Sequence, residues 1–230
     1  MRLPITKYGL PQVAVYPVIN LLLMLVLLLV LRKNVPAWAI VSIEVMLFAV
    51  LVWQFSFFRD PHRVVPEGEG FLISPADGVV SDVGIVDDAE HIDGPAVRIG
   101  IFLSVFNVHI NRMPADVRID GKKYRKGRYI NAMKAESSKV NESNDVYMTM
   151  TGGPGARLVV RQISGAIARR IVCAANEGDV YQIGQKFGMI KYGSRTELYF
   201  PVNMGIEPCV KPGDKVSAGL TKVAEYERSK

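Results

Sequence analysis

Two long apolar stretches fill the first quarter of this 230-residue chain and constrain its architecture more than anything that follows them. Leu10 to Leu31 and Val35 to Phe58 contain one charged residue between them, Glu44. The hydrocarbon core of a bilayer, about 30 Å thick, takes roughly 20 helical residues to cross, and each stretch is long enough. Only Arg32-Lys33-Asn34 separate them, so the helices must run antiparallel as a hairpin with both ends on one side. Asn34 is placed to cap the second helix, and Pro36 is acceptable in its first turn. Pro11 and Pro17 make the first stretch the more irregular, and both crossing and dipping into the bilayer stay open for it. A cleavable signal peptide fits badly, because the first run starts late and a second run follows where a cleavage site would be. Arg2, Lys7, Arg59 and Arg63 outnumber Arg32 and Lys33, which favours a cell-membrane protein with its remaining domain on the cytoplasmic face. Glu44 is costly in mid-span unless paired or protonated, and is expected to face the partner helix.

The division that follows is an anchoring hairpin over residues 1–57 and a polar domain over residues 58–230. Of the formal net charge of +6, the polar domain carries 24 basic against 21 acidic side chains. That balance is too mild for nucleic acid, and no basic run with interleaved aromatics offers a stacking platform. It suits an anionic lipid surface instead. Cys173 and Cys209 form no CxxC pair, so neither zinc nor redox chemistry is indicated; no metal site is expected, and a reducing compartment is the simpler assumption.

From Phe57 onward the pattern is strand and turn. Val79 to Val86, Ala96 to Leu103, Val117 to Asp120, Asp145 to Thr151, Ala156 to Ile163, Ile167 to Ala174 and Glu197 to Phe200 are short β-favourable runs. Asp120-Gly121 and the Gly152-Gly153-Pro154-Gly155 cluster read as tight connections, the second closing a hairpin. Gly178-Asp179 followed by Gly184 recurs as Gly213-Asp214 followed by Gly219. The second copy, VKPGDKVSAG, resembles the turn-strand-turn unit of lipoyl and biotinyl carrier domains, and PADGVVSDV has a similar cadence. The expectation is a mainly β (α+β) fold, a barrel-sandwich-like domain behind the helical hairpin. The same likeness raises a membrane-tethered carrier domain modified at Lys134 as a distant rival. Methionine stands on only one side of that lysine, where the carrier motif has it on both.

Four segments carry the chemistry: FFRDPHR (57–63), SPADG (74–78), NVHINRMP (107–114) and FGMIKYGSRTELYFP (187–201), with a looser one at Ser138-Lys139-Val140-Asn141-Glu142. Their order and spacing resemble the phosphatidylserine decarboxylase family in its short bacterial and archaeal form. The resemblance implies a carboxy-lyase whose precursor cuts itself between Gly193 and Ser194. That cut leaves a β chain of residues 1–193 and an α chain of residues 194–230, held together as a heterodimer, with higher assembly left open. Ser194 then becomes a covalent pyruvoyl group, the cofactor, which takes the substrate's serine amine as a Schiff base and acts as the electron sink for loss of CO2. The implied product is phosphatidylethanolamine. The partner is a phospholipid in the membrane, and archaetidylserine, with the same reacting headgroup, is an alternative substrate.

The physics of such a cut is intelligible. A serine hydroxyl is a weak nucleophile and needs a base and a carbonyl held at close range. A glycine before it can take a positive φ and leave its carbonyl open to attack. His109 is the acid-base candidate, since imidazole gives and takes protons near neutrality. Within the resemblance, Asp77 is the carboxylate that orients or charges the base. Longer family members place a second histidine where this chain has Arg112, and a guanidinium stays protonated, so it does not replace a base. Arg112, Arg59 and Arg63 are instead candidates for the substrate carboxylate, phosphate or headgroup. Asn111 and Lys139 belong to the motifs without an assigned role.

Overall fold

The computed structural model describes residues 5–30, 35–87, 89–134, 136–166 and 170–227. The chain divides into two compact units, residues 1–61 and 62–230. The first holds α1 (Gln12–Val30) and α2 (Ala37–Phe57), both long and apolar enough to cross a membrane by length and composition. Asn34, the expected cap, lies outside the described residues, and Pro36 occupies the N-cap position of α2. Leu21, Leu22, Leu25, Val45 and Phe48 are all exposed, a surface that water does not tolerate over such an area and that suits association with lipid. One buried amide joins the helices: Asn20 Nδ2 donates to the Leu47 carbonyl at 3.2 Å. Glu44 is half-buried.

The second unit is β-rich, with strands β1 (Phe71–Ile73), β2 (Gly78–Val86), β3 (Ala96–Leu103), β4 (Ile110–Arg112), β5 (Val117–Arg125), β6 (Ser143–Met150) and β7 (Arg157–Ser164). After these come β8 (Arg170–Cys173), β9 (Val180–Tyr181), β10 (Lys186–Lys191), β11 (Ser194–Pro201), β12 (Ile206–Pro208), β13 (Lys215–Val216) and β14 (Lys222–Tyr226), with one short helix, α3 (Ser137–Val140). An eight-stranded antiparallel sheet runs β13-β2-β3-β11-β7-β6-β5-β9, and two three-stranded sheets run β1-β14-β12 and β4-β10-β8. Ile99, Ile101, Val146, Leu158, Leu198 and Phe200 of the large sheet form one buried core with Leu72, Phe187 and Val223 of the small ones. Of the expected run Ile167 to Ala174, residues 167–169 lie outside the described part and the remainder supplies β8. The Gly152–Gly155 cluster does close a hairpin, with Thr149 opposite Arg157.

The sequence repeat is a structural one, and it pairs two turns with two strands in matching ways. Gly178 donates to the Ile119 carbonyl and Ile119 to the Asp179 carbonyl, both at 2.9 Å, while Gly213 and Asp214 make the same pair of bonds with Val80, at 2.8 and 2.9 Å. Asp179 accepts from its own turn at Asn176 N, and Asp214 at Lys211 N. Gly184 and Gly219 then donate to Met113 and Ser74. This arrangement corrects the reading of Asp120-Gly121 as a turn. Ile119 gives its N–H to the Gly-Asp turn and not to the ladder, so β5 bulges between Ile119 and Gly121 and continues to Arg125, as β2 bulges between Val80 and Asp82.

Candidate active site

The chain reaches Ser194 by changing sheets. Strand β10 ends at Lys191 in one small sheet, and β11 begins at Ser194 in the middle of the large one, paired with Leu103 of β3 and Ser164 of β7. Tyr192 and Gly193 make the switch, and both are left-handed, with φ of +70° and +71°. Glycine adopts this without penalty, whereas tyrosine is strained there, at on the order of 1 kcal/mol or more. The peptide between Gly193 and Ser194 is therefore held where two sheets enforce an uncommon backbone path. Ser194 is fully buried, and among the described residues its Oγ has no hydrogen-bond partner. A buried hydroxyl left unmatched costs about 1–3 kcal/mol and calls for an explanation.

His109, also fully buried, lies immediately before β4, and its Nε2 is 3.1 Å from the Gly193 amide nitrogen. A backbone N–H only donates, so Nε2 presents its lone pair there. Nδ1 then carries the ring proton and donates it to the Asn107 carbonyl at 3.0 Å. This is the neutral tautomer that a base requires, with the basic nitrogen one residue from the Ser194 hydroxyl.

The Gly193 carbonyl has a fitted seat, which sequence reasoning missed. A Cβ built on Gly165 would lie 2.4 Å from the Gly193 oxygen and 3.3 Å from Ala132 Cβ. Gly165 does not have a positive φ, so space, and not backbone freedom, is what calls for glycine here. The seat is tied down by Asn141, whose Nδ2 donates at 2.8 Å to both Ile130 O and Ser164 O and whose Oδ1 accepts from Ile130 N. Val105 closes the other side, 3.3 Å from where a Gly193 Cβ would stand. Asn141 was visible as a motif residue; Gly165 and Ala132 meet the site only through folding.

Two more buried groups flank the switch. Lys191 is almost fully buried, and its amine is pushed down to about 8, first by burial and then by Arg170 opposite it on β8. Asn111 links Thr196, which points to the same side of β11 as Ser194, to Gln162: its Nδ2 donates to Thr196 Oγ1 at 3.1 Å, and its Oδ1 accepts from Gln162 Nε2 at 2.9 Å. On the opposite face of β11, Arg195 donates to Glu197, Asp82 and Ser81, and Glu197 accepts from Ser138 of α3 at 3.0 Å. Lys139 of the same helix is exposed.

The remaining sequence candidates have partners of their own. Asp77 is held bidentately by Arg63 at 2.5 and 2.7 Å and accepts from Ala218 N at 2.8 Å. Its counterpart in the repeat, Asp116, accepts from Ile183 N at 2.7 Å in the same way. Arg63 is buried along its side chain and also donates to Ala218 O. Arg112 is buried, with Nη1 on the Gly184 carbonyl at 2.9 Å. Arg59 belongs to the first unit, where it donates to Ser56 O at 2.7 Å.

Residues 51–224 match the profile of the family described as phosphatidylserine decarboxylase. A phosphatidylserine decarboxylase proenzyme of Rhodopirellula baltica is 42% identical over 226 residues, covering 98% of this chain and 90% of that one. Proteins of the same name from Carboxydothermus hydrogenoformans and Geotalea uraniireducens are 41% and 39% identical, covering 79% and 95% of this chain and 84% and 94% of theirs. The fold and its relatives thus define a decarboxylase, a lyase. The chain belongs to the phosphatidylserine decarboxylase family.

Proposed function

We propose that this chain is a self-processing proenzyme that cuts its backbone between Gly193 and Ser194 and then removes CO2 from phosphatidylserine at the inner face of a membrane. The observation that carries the reading is the meeting of three features around one peptide bond: a strained sheet switch, a buried serine hydroxyl without a partner among the described residues, and a histidine whose basic nitrogen accepts from the Gly193 N–H, one peptide before it. The relatives are named for phosphatidylserine, which supports taking it as the substrate, with archaetidylserine as the alternative.

In the cleavage, Nε2 of His109 exchanges the Gly193 N–H for the Ser194 hydroxyl and takes its proton. Oγ attacks the Gly193 carbonyl carbon, whose oxygen is fixed against Gly165. The proton passes to the Ser194 nitrogen as the C–N bond breaks, leaving an ester between Gly193 and the Ser194 side chain. Loss of the Ser194 Cα proton expels Gly193 as a carboxylate. Water then replaces the freed nitrogen as ammonia, giving the pyruvoyl group at the new N-terminus of β11.

The site fits such a group. Residue 194 is buried at the head of a strand fixed on both sides, and the hydroxyl oxygen that cleavage eliminates has no hydrogen bond to lose. The pyruvoyl group supplies a ketone that holds the substrate amine and accepts the electron pair left by CO2. Around it, His109 delivers and removes protons, Asn111 and Thr196 hold the polar floor, and Lys191 offers positive charge to a headgroup. Asp77 acts at one remove, by holding Arg63 and the Ala218 turn.

Replacing His109 by alanine is the test. Loss of both cleavage and decarboxylation by a factor of about 10²–10⁴ fits the reading, and cleavage at the normal rate would remove His109 from it. Assays with ester-linked and ether-linked serine lipids decide the lipid class.

A further inference from the structure

Two turns border the Gly193 site, and each presents an apolar side chain outward. In the first, Ser104 N donates to Asn107 Oδ1 at 2.9 Å and Asn107 N to Ser104 O at 2.8 Å. Val105 of this turn packs at Gly193, and Phe106 at its tip is 72% exposed. In the second, Met133 N donates to Asn131 Oδ1 at 3.0 Å and Lys134 N to Asn131 O at 3.1 Å. Here Ala132 packs at Gly165, and Met133 is 65% exposed. Each turn is thus braced by an asparagine side chain, with one residue packed inward, Val105 at Gly193 and Ala132 at Gly165, and the next projecting away from the core. Among the described residues, Lys134, beside Met133, and Arg170, whose charge bears on Lys191, are exposed cations nearby. Glu136 is the acidic residue on the same segment.

We propose that these two turns form a rim that rests on an anionic bilayer, with Phe106 and Met133 entering the interfacial region and Lys134 and Arg170 against the headgroups. Apolar tips flanked by basic residues match such a surface in both chemistry and charge. The inference builds on the reading of the site as one that acts on a membrane lipid. A rim in contact with the bilayer lets a serine headgroup reach residue 194 while its acyl chains stay in lipid. It is a contact of the β-rich unit itself, additional to the apolar hairpin.

The experiment uses full-length Phe106→Trp and Met133→Trp chains in vesicles of phosphatidylglycerol and brominated phosphatidylcholine, with the parent chain as the background for Trp38 and Trp53. The added emission of each variant should be largely quenched by the brominated lipid and little affected by aqueous iodide. Iodide quenching without bromolipid quenching overturns the proposal. Shielding from both, with dimers seen by cross-linking, overturns it in favour of a second copy of the chain on this rim. Repeating the measurement on a Ser194→Ala background separates it from the chemistry: bromolipid quenching persists there if the rim is correct, whatever becomes of the decarboxylase reading.

Discussion

At the scale of single residues the site rests on contacts that deny space as much as on those that donate protons. Gly165 has an ordinary backbone conformation and is kept small by the Gly193 oxygen. Gly165→Ala should therefore slow self-cleavage at least tenfold (about 1.4 kcal/mol) while the folded state persists, as followed by gel densitometry alongside circular dichroism. An unchanged rate in the folded variant would show that the seat is immaterial. Lys191 gives a second test. Its folded pKa of about 8 lies below the ordinary 10.5, so between these values the unfolded chain binds more protons and stability rises with pH. Below pH 8 the cost of burying the charge is present in full. Lys191→Met should raise stability at pH 7 by on the order of 1–3 kcal/mol and flatten the rise between pH 8 and 10, measured by urea unfolding of the β-rich unit in the full chain. The same pH slope in the variant would exclude Lys191 as its source.

At the scale of elements, the two Gly-Asp turns explain what was legible in the sequence and what was not. Strands with dense β-branched runs, such as β3 at Ala96–Leu103, could be read directly, and so could the spacing of Gly178-Asp179 and Gly213-Asp214. Strand β10 could not, because KFGMIK lacks alternation and is buried on both faces for five of its six residues. β5 was cut short at Asp120-Gly121, since a bulge made by a distant turn has the local signature of a turn. The motif histidine and the Gly-Ser pair were legible through family likeness; the seat at Gly165 and Ala132 arises from long-range packing that local pattern does not encode.

The repeat also bears on Asp77. It occupies the place of Asp116 and differs in its pairing with Arg63. Breaking that pair leaves Arg63 buried without its counter-charge, so Asp77→Asn should cost about 3–5 kcal/mol, against about 1 kcal/mol or less for Asp116→Asn, which is exposed and keeps an oxygen to accept from Ile183 N. Thermal melts would rank them. A fall in cleavage rate confined to fully folded Asp77→Asn would return Asp77 to the chemistry.

At the scale of the molecule, the placement of β11 determines what cleavage does to the fold. It lies between β3 and β7 and pairs with both from its first residue, so a chain cut before Ser194 keeps its central strand. The C-terminal fragment also carries β12, β13 and β14, the last of which pairs with β1. The two fragments should therefore co-elute under native conditions and separate only on denaturation; dissociation in gentle detergent would contradict this. The two apolar helices are long enough to hold such an assembly at a membrane, where the proposed substrate resides.

Everything proposed for the site depends on the cut at Gly193-Ser194, which intact-mass analysis of the purified chain under denaturing conditions would reveal. Fragments of 193 and 37 residues are expected, the smaller carrying a ketone in place of its N-terminal amine and therefore resistant to Edman degradation. A single uncut chain of 230 residues, with Ser194 unmodified in a preparation that decarboxylates phosphatidylserine, would contradict it.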